Sequence, residues 1–135
     1  MSRMIFVNLP VRDLAKSLGF YVALDGKPNP QFSDDQSKSV MLSDAIGVML
    51  MTHDRYGTFT KRPIGDARRE SQTLLALSVT SRDAVNDTLT RATAAGGKAD
   101  PNPAQDHGFM FMRSVEDPDG YVWEIMWMDP AAVNG

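Results

Sequence analysis

The chain opens with a β-rich stretch, Met4 to Val11, that ends at Pro10. Asp13 follows, and its carboxylate can accept an orphan backbone N–H and so start a helix. Leu14, Leu18, Tyr21 and Val22 then recur at helical spacing. Asp25-Gly26 ends that helix, and Pro28-Asn29-Pro30 prevents its return. Two strands are expected around Ser39–Ser43 and Gly47–Thr52, with a turn over residues 43–47 between them. Residues His53 to Thr73 break the pattern. They carry Arg55, Lys61, Arg62, Arg68 and Arg69 with two glycines and one proline. Loops longer than about 12–15 residues are usually functional or mobile; the plainer reading is a solvated linker.

The second half repeats the first. Leu74–Val79 reads as a strand and Ser81 as a helix cap. Val85, Leu89 and Ala92 form the apolar stripe of the next helix, which Gly96-Gly97 terminates. Strands follow at Phe109–Val115 and Tyr121–Met128, with the turn Glu116-Asp117-Pro118-Asp119-Gly120 between them, and the tail from Asp129 looks frayed. Residues 7–13 answer residues 75–81, and Gly26-Lys27-Pro28-Asn29-Pro30 answers the stretch from Gly97 to Pro103. A repeat of about 70 residues implies two copies of one βαβββ unit, each too small to bury much alone, so the copies are expected to share a sheet.

Composition narrows the chemistry. The 135 residues suit one domain, and 42% hydrophobic with 23% charged is globular. The absence of cysteine removes disulfides, thiolate nucleophiles and zinc-thiolate sites together. A net charge of −3 offers no basic footprint for nucleic acid. No apolar run approaches the roughly 18 residues of a membrane span. The first residues move straight into strand-like sequence, so no signal peptide is expected, and the cytoplasm is the expected compartment. Phosphate-binding glycine loops and a hydrolase nucleophile elbow are both missing.

The run from Leu9 to Tyr21 (LPVRDLAKSLGFY) and the run from Asp117 to Glu124 (DPDGYVWE) resemble the first and last signatures of the vicinal-oxygen-chelate superfamily. This is the glyoxalase/bleomycin-resistance/extradiol-dioxygenase fold. His53-Asp54, residues 105–110 and residues 123–129 are similar to a bacterial subgroup described as lactoylglutathione lyase-like. The resemblance implies an α+β chain whose two βαβββ modules form a curved mixed sheet around a cavity. It places one domain over residues 1–135, with module one at about 4–53, the loop at 54–73 and module two at about 74–128. It also implies a homodimer, often with modules pairing between chains, and a divalent metal held by four side chains. Carried over by position, those four are Phe6, Met51, Leu74 and Glu124. Three are apolar, so the resemblance supports the fold and argues against its usual metal chemistry.

Glu124 is therefore the expected catalytic group, a general base on the face of its strand that Val122 and Met126 share and the tryptophans do not. The alternative is a structural carboxylate bonded to Asn8, Ser78 or a backbone amide. Phe6, Asn8, Met51, His53, Leu74, His107 and Met126 are the expected substrate-binding residues. A divalent ion at Glu124 with His53 and His107 is a weaker alternative, because no local spacing marks it; loop anchoring is the plainer role for both histidines. Arg62, Arg68 and Arg69 are either an anion clamp or solvated charge, and Tyr56 and Phe59 either a lid or a subunit contact. Of nine methionines, six pair at i, i+2: Met49 with Met51, Met110 with Met112, Met126 with Met128. In strands each pair shares one face, either as ordinary core filling or as an adaptable pocket wall. Three functions stay open: a small-molecule binding protein without the usual metal, a glyoxalase-like lyase or isomerase using Glu124, and a dimeric interaction protein with a vestigial pocket. No nucleic-acid or membrane partner is expected.

Overall fold

The computed structural model describes residues 3–134. The chain is α+β and divides into two compact units, Met1–Asp66 and Ala67–Gly135, the boundary falling inside the expected loop.

In the first unit, β1 (Ile5–Pro10) leads into α1 (Leu14–Ala23), then β2 (Lys27–Pro28), a short 3-10 turn at Pro30–Phe32, β3 (Ser37–Met41) and β4 (Ile46–Met51). Asp13 caps α1 by accepting the Lys16 N–H at 3.1 Å. The sheet order is β1-β4-β3-β2, with β1 parallel to β4 and the other pairs antiparallel. The helix buries Ser17, Phe20 and Tyr21, and Val22 is exposed. The stripe expected from spacing is thus rotated by about one residue, because the bulkier Phe20 takes the inward position. Phe20 and Tyr21 meet edge to face at 5.0 Å. They sit in a core with Leu9, Val40, Val48 and Leu50. The buried Gly26 permits the close turn after α1, since a Cβ there would collide with the Tyr21 carbonyl and Val40.

A one-turn helix, α2 (His53–Tyr56), follows β4 where the sequence reads as loop. Thr52 caps it, accepting the Arg55 N–H at 3.2 Å, and Arg55 reaches Ser37 Oγ at 3.2 Å and Asp34 at 3.5 Å.

The second unit repeats the plan with one short strand, β7, added beyond the expected βαβββ order: β5 (Leu75–Ser78), α3 (Arg82–Ala94), β6 (Lys98–Ala99), β7 (Gln105–Asp106), β8 (Met110–Glu116), β9 (Val122–Met128) and a terminal turn, α4 (Pro130–Asn134), in the stretch that reads as a frayed tail. Ser81 caps α3 through the Ala84 N–H at 3.0 Å. The order is β5-β9-β8-β6, with β7 also on β8. The α3 stripe of Val85, Leu89 and Ala92 is buried, as are Val115, Trp123 and Ile125 on the sheet face of matching parity.

The strands make two sheets, one per unit, instead of the single shared sheet expected from the repeat. Each module closes its own sheet by pairing its first strand in parallel with its last. That pairing leaves β1 and β5 as edges of their own sheets.

Candidate functional site

The β8–β9 register sets the faces of the second sheet. Ser114 stands opposite Glu124, Met112 opposite Met126 and Met110 opposite Met128. On the other side of β9, Ala76 and Ser78 of β5 stand opposite Glu124 and Met126. Cross-strand partners share a face, so Glu124, Met126, Met128, Met112 and Met110 lie on one side of this sheet. Trp123, Ile125 and Trp127 lie on the other, under α3. The alternation read from the sequence thus holds in β9.

Glu124 is half-buried at the middle of this face. Among the described residues, no hydrogen bond or ion pair reaches its carboxylate. The bonds that a structural anchor would make are therefore missing. Its cross-strand neighbours are the exposed Ala76 and the buried Ser114, whose hydroxyl accepts the Asn102 N–H at 3.1 Å and lies 3.2 Å from the Asn102 carbonyl.

His107 lies in the tight β7–β8 hairpin, where Gly108 adopts φ +79°. Its N–H donates to the Met110 carbonyl at 2.9 Å. Its Nε2 lies 3.4 Å from Gln105 Oε1, and its ring is 6.2 Å from that of Phe109. The partner of Met110 on β9 is Met128, four residues from Glu124. That is about 13 Å along the strand, so the two residues belong to different rows of the face. Among the described residues, no three His, Asp or Glu side chains gather to hold a metal ion. The side chains at the positions where the resemblance puts metal ligands supply one carboxylate, one thioether and two hydrocarbons. This set does not fit a divalent cation.

In the first unit, Phe6, Asn8, Met49 and Met51 share the sheet face opposite the helix-packed core. Phe6 is 54% exposed, and the Cβ missing at Gly47 makes room for its ring and for Met41 Sδ. Asn8 is exposed and Met51 is buried at the end of β4. His53 is exposed at the start of α2. Leu74 in the second unit directly precedes β5 and is 51% exposed.

Two ion-pair clusters were not legible in the sequence. Arg82 grips Asp106 with both terminal nitrogens, at 2.9 and 2.8 Å, and donates to the Gly108 carbonyl at 2.9 Å. Its guanidinium lies over Phe111 at 5.3 Å and Trp127 at 5.2 Å. The Arg82 hydrogen bonds, followed by that from the Gly108 N–H, hold the Asp106 carboxyl far below the usual carboxylate range. Asp106 is thus engaged by Arg82, on the opposite face from its neighbour His107. Arg113 similarly holds Asp100 at 2.7 and 3.1 Å and also reaches Asn86 at 2.9 Å. The partners are 24 and 13 residues apart, so no local spacing betrays them. An open depression of about 440 Å³ lies on this helix side, lined by Leu89, Thr90, Thr93, Ala94, Ala99 and Arg113. Its one charged group is already committed to Asp100, and it lies behind the sheet from Glu124, so we place the candidate site on the Glu124 face.

Of the loop arginines, Arg68 donates to the Pro118 carbonyl at 2.6 Å and so ties the loop to the β8–β9 turn. Arg62 and Arg69 are exposed, Phe59 is exposed and Tyr56 is half-buried. Among the described residues, no helix is long and apolar enough to cross a membrane.

Solved structures share this fold. A glyoxalase-related enzyme from Fulvimarina pelagi superposes with a TM-score of 0.77 at 22% identity, covering 94% of this chain and 88% of that one. A hypothetical protein from S. aureus gives 0.76 at 21%, covering 94% of each chain. A genomically encoded fosfomycin resistance protein from Listeria monocytogenes gives 0.67 at 19%, covering 94% and 93%. No curated protein matches the sequence. The family model described as Glyoxalase/Bleomycin resistance protein/Dioxygenase superfamily matches residues 3–125, nearly the whole βαβββ pair, and the chain belongs to that superfamily.

Proposed function

We propose that this protein binds a small organic molecule without the divalent ion usual in its superfamily, and that Glu124 meets the ligand on the methionine-lined face of the second sheet. The reading rests on the donor set: Phe6, Met51 and Leu74 stand at three of the four positions that the resemblance gives to metal ligands. Methionine thioethers are flexible and polarizable, so a wall built from them adapts to more than one apolar shape. Phe6, Asn8, Met51, His53, Leu74, His107 and Met126 are the proposed ligand-contacting residues. A homodimer is the proposed assembly and the cytoplasm the proposed compartment.

Untagged protein, analysed for bound metal and titrated with nickel, zinc and manganese, is expected to take up none stoichiometrically. Thermal-shift screening against a small-molecule library is expected to yield ligands that raise Tm, because anything binding only the native state stabilises it. Stoichiometric divalent binding that is lost in Glu124→Gln would overturn the reading.

The Glu124 carboxylate, which has no hydrogen-bond or ion-pair partner among the described residues, favours a second reading, a glyoxalase-like lyase or isomerase in which Glu124 abstracts a proton from the bound substrate. Turnover of a hemithioacetal that disappears in Glu124→Ala supports it, and absence of turnover in the parent removes it.

A further inference from the structure

The methionine face carries a second chemistry, which does not rest on the binding of an organic ligand. We propose that Met110, Met112, Met126 and Met128 form a site for a soft monovalent cation, Cu(I) or its redox-silent analogue Ag(I), with His107 at its edge.

The register dictates the arrangement. Met110 faces Met128 and Met112 faces Met126 across one strand pair, and the two rows are two residues apart on each strand. The four Cβ atoms therefore mark a rectangle about 5 Å across the strands and about 7 Å along them. Each thioether is carried on an unbranched chain with three rotatable bonds, long enough to lean toward the centre of a rectangle of that size. His107 pairs with Met110 through the backbone, and its ring lies beside Gln105, the residue opposite Met112. An imidazole thus borders the same face.

All four methionines are half-buried, whereas the opposite face of β9 places Trp123 and Ile125 fully in the core. Core filling alone leaves this array half open to solvent. Thioether sulfur is a soft donor that selects Cu(I) over hard or borderline divalent ions. A neutral sulfur set also suits a single positive charge. Glu124 stands one row further along the sheet, outside this rectangle.

The test uses the full chain without a tag, under anaerobic reducing conditions, with Cu(I) presented by a chromogenic chelator. The protein is expected to withdraw one equivalent of Cu(I), and X-ray absorption at the copper edge is expected to show a shell dominated by sulfur. Met112→Leu/Met126→Leu, a volume-conserving pair of substitutions, is expected to weaken binding at least tenfold with an unchanged circular dichroism spectrum. Should that variant fold poorly, Met110→Leu/Met128→Leu is measured in its place, with the same expectation. Failure to compete with the chelator, a shell of nitrogen and oxygen only, or full affinity in a folded double variant overturns the proposal.

Discussion

Gly120 offers a quantitative test of how the loop docks on the β8–β9 turn. It adopts φ +99°, a conformation that side-chain-bearing residues rarely accept, and an added Cβ would stand 2.7 Å from the Arg68 nitrogen and 2.6 Å from Arg68 Cγ. Left-handed strain in an Ala costs about 1–2 kcal/mol. Pushing back a backbone segment adds roughly 1–3 kcal/mol, the range for overpacking. Gly120→Ala is therefore expected to destabilise by about 2–5 kcal/mol. Two further glycines separate the contributions. Gly108 has φ +79° with nothing within 4 Å of an added Cβ, so Gly108→Ala carries strain alone. Gly65 has neither strain nor neighbours, so Gly65→Ala is expected to be neutral or stabilising by up to about 1 kcal/mol through the unfolded chain. Urea melts of the parent and the three variants read the differences directly, with matched slopes confirming comparable native states. If Gly120→Ala costs no more than Gly108→Ala, the Arg68 backbone does not sit against the turn and the docking argument fails.

Other expectations follow from the same packing. Asp117 is 3% exposed and accepts the Asp119 and Tyr121 N–H groups at 2.9 Å each; Asp117→Ala leaves buried donors unpaired and is expected to cost about 1–3 kcal/mol in a urea melt. Ile125 is fully buried under α3, and Ile125→Ala is expected to cost about 2–5 kcal/mol, whereas truncating the half-buried Met126 should cost distinctly less. The carboxyls of Asp106 and Asp100 are lowered from 3.8, chiefly by hydrogen bonds from Arg82 and Arg113. A depressed pKa contributes stability that is full above the unfolded value and disappears as pH falls through the folded one. Stability should therefore drop from about pH 5 downward, and Asp106→Asn or Asp100→Asn should flatten that drop in acid denaturation followed by circular dichroism; an unchanged acid slope in both variants would show that these pairs are not linked to folding.

Much of the fold was legible because its signals are local. Asp13 and Ser81 cap their helices by their own side chains, the proline pairs stop re-entry, and the period of two in β9 sorts Glu124 from the tryptophans. The spacing places the buried face of α1 one residue off. Spacing alone cannot weigh Phe20 against Val22, and the larger ring wins the inward position because it removes more apolar surface from water. The helix at His53 leaves no mark in the sequence, since one turn has no periodicity. For the site, the sequence placed Glu124 among methionines but not the engagement of Asp106 by Arg82. That pairing joins the N-terminus of α3 to a hairpin 24 residues away.

By itself the sequence determined the repeated strand–helix–strand plan of the two units and the capping of their helices, because each depends on residue type and near-neighbour spacing. Tertiary structure decided that the strands close as two sheets, that Arg68 anchors the loop to the turn, and that methionines from two strands meet as one array. These depend on register, and register is set by which strands pair, a long-range choice that no short stretch of residues encodes.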